Sequence, residues 1–156
     1  MRNAVIATIF GASLIFCSHV VQADGWTSGF GQGFSEYTVK NGPGNQFTIS
    51  CDVSESEKVG EKTSIEMMIV GKSPPPDSMV VVVLDGDEFQ IQVDKFGSGN
   101  LDCHVCYDNF RAMWERLRTA RTMLMQYADH RSSKFTMLGA RKALSPKPCK
   151  TPFEVM

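Results

Sequence analysis

The sequence predicts a mainly β domain: an antiparallel β-sandwich or rolled sheet, disulfide-stabilised, with one α-helix packed across it. Three observations predict it. Apolar and polar residues alternate over much of the middle of the chain, the period of a half-buried strand. Short turn signals separate these runs, and such turns join antiparallel neighbours without a crossover. One segment alone, around 110–117, changes to helical spacing, and Cys51, Cys103, Cys106 and Cys149 are spread through the same region.

The chain opens with Arg2, continues uncharged over 4–16 and reaches Val21, Gln22 and Ala23. This is the pattern of a secretory signal peptide, residues 1–23, cleaved after Ala23. The apolar run is shorter than the roughly 20 residues of a transmembrane helix, and Ser18 and His19 interrupt it. Cys17 follows the bulky Phe16, which disfavours lipid attachment there. The expected product is periplasmic or secreted, with no stable membrane insertion after cleavage.

Residues 24–34 carry Gly25, Gly29, Gly31 and Gly33 between Trp26, Phe30 and Phe34. They are poor material for a helix and are expected to form an irregular arm ahead of a single β-rich domain over 35–152. The three aromatics either tack the arm onto its own domain or dock on a partner. Alternation over 36–40, the turn-rich Asn41-Gly42-Pro43-Gly44-Asn45 and a strand over 46–53 make a hairpin, with Phe47, Ile49 and Cys51 on one face. Residues 54–62 are charged and loop-like. A second strand over 63–70, with Ile65, Met67 and Ile69 on one face, is stopped by Gly71 and the run Pro74-Pro75-Pro76.

The strongest local signal is the run 79–84, Asp85-Gly86, then 87–93. It is a β-branched strand, a two-residue turn tolerant of positive φ, and an alternating strand. The valine run reads as a central strand covered on both faces, and its partner, with Phe89, Ile91 and Val93, as covered on one. A loop over 97–100 leads to Cys103-His104-Val105-Cys106. Phe110, Met113, Trp114 and Leu117 then follow at i, i+3, i+4 and i+7, an amphipathic helix that Asp108 or Asn109 could cap. Strands are expected over 122–127 and 134–138, and a short turn or helix over 139–144 that delivers Cys149.

Loss of residues 1–23 removes Arg2 and no acid, so the formal charge of −1 becomes one unit more negative. Without a net basic surface no nucleic-acid partner is expected. An even number of cysteines in an oxidising compartment predicts two disulfides, with three connectivities open. The expected one joins Cys103 to Cys106 and Cys51 to Cys149. The Cys-x-x-Cys pair before a helix is also the geometry of a dithiol oxidoreductase, since a helix start lowers a thiol pKa. That fold, however, sets the motif after the first strand of a βαβ unit, and none precedes it here.

Zinc would need a second ligand cluster beside Cys103 and Cys106, and only one pair is present. Haem attachment would need histidine where Tyr107 stands. Hydrolase motifs are missing, and after cleavage only His104 and His130 remain as histidines. Asp85, Asp87 and Glu88 read as solvated turn formers, and Arg111, Arg116, Arg118 and Arg121 as a solvated helix face. No catalytic residue, metal or cofactor is expected.

A cysteine next to a helix with Trp114 and Leu117, a strand over 123–127, and Phe135-Thr136-Met137-Leu138-Gly139 followed by Ala143-Leu144 mark the C-terminal half. Over residues 100–150 this resembles the exported invasion-associated locus B proteins. The resemblance implies a periplasmic or surface-associated bacterial β domain of no known enzyme activity, linked in some members to host-cell invasion. It carries over no catalytic residue. The chain departs from that pattern in its Cys103-x-x-Cys106 pair and its proline-rich loop.

Together these features predict an exported protein that acts by binding a protein of the envelope or host surface, through Trp26, Phe30 and Phe34 or an exposed sheet edge. A periplasmic inhibitor or immunity protein for a toxin or hydrolase, and a dithiol oxidoreductase using Cys103 and Cys106, are the alternatives.

Overall fold

A computed structural model of the chain describes residues 25–53 and 62–151. The expected signal peptide lies outside them, as does most of the charged loop. Among the described residues, nine strands and two helices follow one another as β1 (Thr27–Gly31), β2 (Phe34–Lys40), β3 (Gln46–Asp52), β4 (Ser64–Met68), β5 (Met79–Leu84), β6 (Asp87–Gln92), β7 (Ser98–Gly99), α1 (His104–Leu117), β8 (Thr122–Tyr127), β9 (Ser132–Thr136) and α2 (Ala140–Ala143). They build a five-stranded sheet ordered β1-β2-β3-β4-β7 and a four-stranded sheet ordered β6-β5-β8-β9. All pairings are antiparallel.

Period-2 alternation gives each sheet one apolar face. Val39, Phe47, Ile49, Ile65 and Met67 from the first sheet and Val80, Val82, Ile91, Met123 and Met125 from the second join the apolar stripe of α1 in one buried cluster. The sheets are also tied at both edges. An isolated bridge pairs Val93, just past β6, with Gly99 of β7. At the other edge the Trp26 backbone N–H donates to Leu138 O at 2.9 Å, joining the residues that flank β1 and β9. The result is a sandwich rolled towards closure. Gly99 permits this approach, because a Cβ there would lie 2.8 Å from Ile91 Cγ2 and 3.0 Å from Ile65 Cβ.

Several expectations need correction. Of the expected irregular arm over 24–34, the described residues 25–34 are mostly sheet: Thr27–Gly31 pairs with β2 through a five-residue register, and the turn between them uses Gln32 and Gly33, both at positive φ. Glycine weakens a helix but is tolerated in an edge strand that has no core face to fill. The boundary at residue 34 therefore falls inside a continuous sheet. The valine run is central but covered on one face only, with Val81 and Val83 half-exposed opposite the buried Val80 and Val82. Residues 98–99, expected as loop, form β7. The last strand begins at Ser132 rather than 134, because a tight turn with His130 at φ 69 and an N–H from Tyr127 to Arg131 O at 2.9 Å restart the pairing early.

A tight reversal takes in Val70, the last residue of the expected strand, together with the Gly71 that was expected to stop it. Ile69 and Lys72 exchange backbone hydrogen bonds at 3.0 and 3.1 Å around Val70 and Gly71, at φ 53 and φ 70. A β-branched side chain in the left-handed region is strained by about 1–2 kcal/mol. Val70 is 71% exposed, so its side chain recovers little of that by burial. The substitution Val70→Asn is expected to raise the unfolding free energy by about 1 kcal/mol, read as a higher urea midpoint at unchanged slope.

Candidate functional site

The helix α1 organises one end of the domain. Its stripe of Phe110, Met113, Trp114 and Leu117 is buried as the spacing predicts, and Tyr107 extends it one turn earlier. Trp114 is fully buried, meets Tyr37 edge-on at 5.2 Å between ring centroids, and donates from Nε1 to Ser145 O at 3.1 Å. The helix is thereby locked to the first sheet and to the C-terminal segment. The N-cap is Cys103, whose sulfur accepts the Cys106 backbone N–H at 3.0 Å. The expected caps serve otherwise: Asp108 lies exposed within the helix, and Asn109 donates from Nδ2 to Gln90 O at 2.9 Å, pinning α1 to β6.

Between the start of α1 and edge strand β6 lies a groove of about 510 Å³. Ile91, Phe110 and Met113 give it an apolar lining, Gln90 and Asn109 are among its polar groups, and Cys106 forms part of its wall. No sequence signal marks this groove, because β6 and α1 come together only through tertiary packing.

The cysteines pair as Cys51 with Cys149 and Cys103 with Cys106. The first bridge is buried and ties the C-terminal segment to β3, beside Thr63, whose hydroxyl donates to Lys150 O at 2.9 Å. The second is half-exposed and spans the first turn of α1, from the N-cap Cys103 to Cys106, with the exposed His104 and Val105 between them. Among the described residues no group of three His, Cys, Asp or Glu side chains is placed to hold a metal ion.

The three aromatics proposed for docking are separated by the structure. Trp26 is buried and packs edge-on against Phe47 at 6.1 Å, so it belongs to the core and not to a surface. Phe34 is half-buried at the start of β2. Phe30 alone is open, 74% exposed on β1, a strand exposed along its whole length.

The acidic turn and the basic helix are more than solvated charge. The Asp85 carboxylate accepts the backbone N–H groups of Arg121 and Thr122 and the Thr122 hydroxyl, the last two at 2.8 Å. These bonds hold its carboxyl below the ordinary carboxylate range, the Arg121 N–H being the largest cause. The Asp85-Gly86 turn thus grips the start of β8. Asp87 pairs with Arg116 at 2.7 Å, and Arg118 reaches Pro146 O at 3.4 Å. Arg111 and Arg121 remain exposed.

A family model for YfjT matches residues 24–144. The chain belongs to the YfjT family. The span that makes it a YfjT-family chain takes in every strand and both helices and stops short of Cys149. No curated protein and no solved structure matches the chain. The family match takes in both sheets and shows no relationship to the invasion-associated locus B proteins.

Proposed function

We propose that the protein is an exported, periplasmic or secreted bacterial binding protein without catalytic activity, and that it recognises a protein partner in the envelope or on a host surface by adding a strand to the free edge of β1. The observation that carries this reading is the state of that edge. β1 ends the sheet order, is exposed at all five positions, and offers Phe30 to solvent. Natural sheets guard such edges with charge, proline or bulges, because an unpaired strand is a template for another chain. Thr27-Ser28-Gly29-Phe30-Gly31 carries neither charge nor proline. Strand addition takes affinity from backbone hydrogen bonds and specificity from alternate side chains, the part Phe30 is placed to play. The resemblance of residues 100–150 to the invasion-associated locus B proteins adds host-surface proteins to the partners to be tried.

A photoreactive residue at Ser28 is expected to cross-link one defined protein in the envelope or on host cells, and Phe30→Asp to lower the yield at least tenfold. The same residue at Gln126, exposed on β8 and outside both the β1 edge and the β6–α1 groove, serves as the control. Equal yields from both positions, or a yield that survives Phe30→Asp, would rule out docking at this edge. N-terminal sequencing of the exported form is expected to begin at Asp24.

A further inference from the structure

The two disulfides differ in exposure, in the loop each closes and in their surroundings. Cys51 and Cys149 are 2% and 5% exposed and lie 98 residues apart in sequence. Cys103 and Cys106 are half-exposed, three residues apart, and one of them faces a groove. Attack on a disulfide needs access to one sulfur and a leaving sulfur that is stable as a thiolate. The second pair supplies both, and divides the tasks between its members. Cys106 lines the groove between β6 and α1. Cys103 is the N-cap of a 14-residue helix, and its sulfur already accepts the Cys106 N–H at 3.0 Å. A negative charge on Cys103 is therefore met by a backbone donor and by the positive end of the helix dipole, the environment that lowers a thiol pKa below its usual value of about 8.5.

We propose that Cys103–Cys106 is a thiol–disulfide exchange site entered through the groove, with Cys106 the sulfur attacked and Cys103 the leaving group. A thiolate in the groove forms a bond to Cys106 Sγ. The Cys103–Cys106 bond breaks, and its electron pair departs on Cys103 as the thiolate. The product is a mixed disulfide between the ligand and Cys106. A second thiol on the same ligand can then attack the ligand's own sulfur and release Cys106, so that a ligand dithiol is oxidised to a disulfide and the protein pair is reduced by the same two electrons. The order of roles is the reverse of a pair in which the first cysteine is exposed and the second lies behind it. The step is stoichiometric and uses a different edge from the binding reading above, so each stands or fails independently. The co-reactant is a thiol, either on an extended protein segment or on a small molecule.

The test uses the mature protein with both bridges formed. It is equilibrated with mixtures of reduced and oxidised glutathione, quenched in acid, alkylated and mapped by peptide mass. The Cys103–Cys106 pair is expected to be reduced at a ratio that leaves Cys51–Cys149 intact. The single variants assign the roles. With Cys106→Ser, the free Cys103 is expected to alkylate at pH 6 at least ten times faster than the free Cys106 does with Cys103→Ser. Joint reduction of the two bridges, no reduction at either, or equal or reversed alkylation rates would overturn the proposal. Reduction tenfold faster by a short cysteine-bearing peptide than by glutathione supports it with a protein co-reactant, and equal rates support it with a small thiol.

Discussion

Replacing Cys51 and Cys149 together by alanine is expected to lower the unfolding free energy by about 4–5 kcal/mol. In the chain-entropy model a bridge closing a loop of roughly 100 residues removes about that much from the denatured state, and the sequence separation here is 98. Both cysteines are buried, so the substitution leaves no solvated pair to compensate. The bridge between Cys103 and Cys106 closes a loop of only a few residues, and the same change there is expected to cost about 2 kcal/mol or less. Urea unfolding without reductant measures both. The Cys51 and Cys149 variant is expected to show a steeper slope as well, because the released denatured chain expands and exposes more surface. Equal losses from the two double variants would show that loop length does not rank these bridges. Against a typical stability of about 5–15 kcal/mol, the first loss decides whether the domain persists, and the second leaves its bridge free to serve chemistry.

Strand periodicity survived into the structure wherever one face of a strand had to be buried. The residues 46–53, 63–70 and 87–93 put Phe47, Ile49, Ile65, Met67, Phe89 and Ile91 inward as their alternation implies. The Asp85-Gly86 turn formed with both residues at positive φ. Elements whose existence rests on neighbours distant in sequence were harder to read. β1 has no apolar alternation because it buries no face, and β7 is two residues held by Ile65 and Val93. Gly71 marks the stop in the sequence, but the turn conformation of Val70 is hidden because valine is a strand former, and the pairing of Ile69 with Lys72 places it in the reversal.

The candidate sites divide along the same line. A cysteine pair next to a helix is visible in one dimension, and so is a glycine-flanked aromatic. Trp26 packs on Phe47 and bonds Leu138 O, contacts with residues far away in sequence, while Phe30 stays open on β1. The groove beside Cys106 likewise depends on tertiary packing, with Asn109 bonding the backbone of Gln90 in its lining. Asp85 looked like a solvated turn former, yet its carboxylate holds the backbone of Arg121 and Thr122, a role set by where β8 begins.

The helix that carries Cys103 and Cys106 depends on one side chain above all, and Trp114→Ala is expected to cost about 3–5 kcal/mol, the usual range for emptying a large aromatic site in a core. Trp114 is fully buried, touches Tyr37 and Phe110 edge-on at 5.2 and 5.8 Å, and bonds Ser145 O. The gain in helix propensity from alanine offsets less than about 1 kcal/mol of this. Trp114→Phe separates the contributions: it keeps an aromatic ring against Tyr37 but leaves the Ser145 carbonyl without its donor, and is expected to cost about 1–3 kcal/mol. Both are read by urea unfolding followed by circular dichroism. The consequence reaches the groove, because α1 forms one of its walls. Hydrogen exchange at the Cys106 and Tyr107 amides is expected to quicken more in Trp114→Ala than in Trp114→Phe. Equal exchange in both variants would mean that the first turn of α1 is held by Asn109 and the Cys103 cap without help from the core.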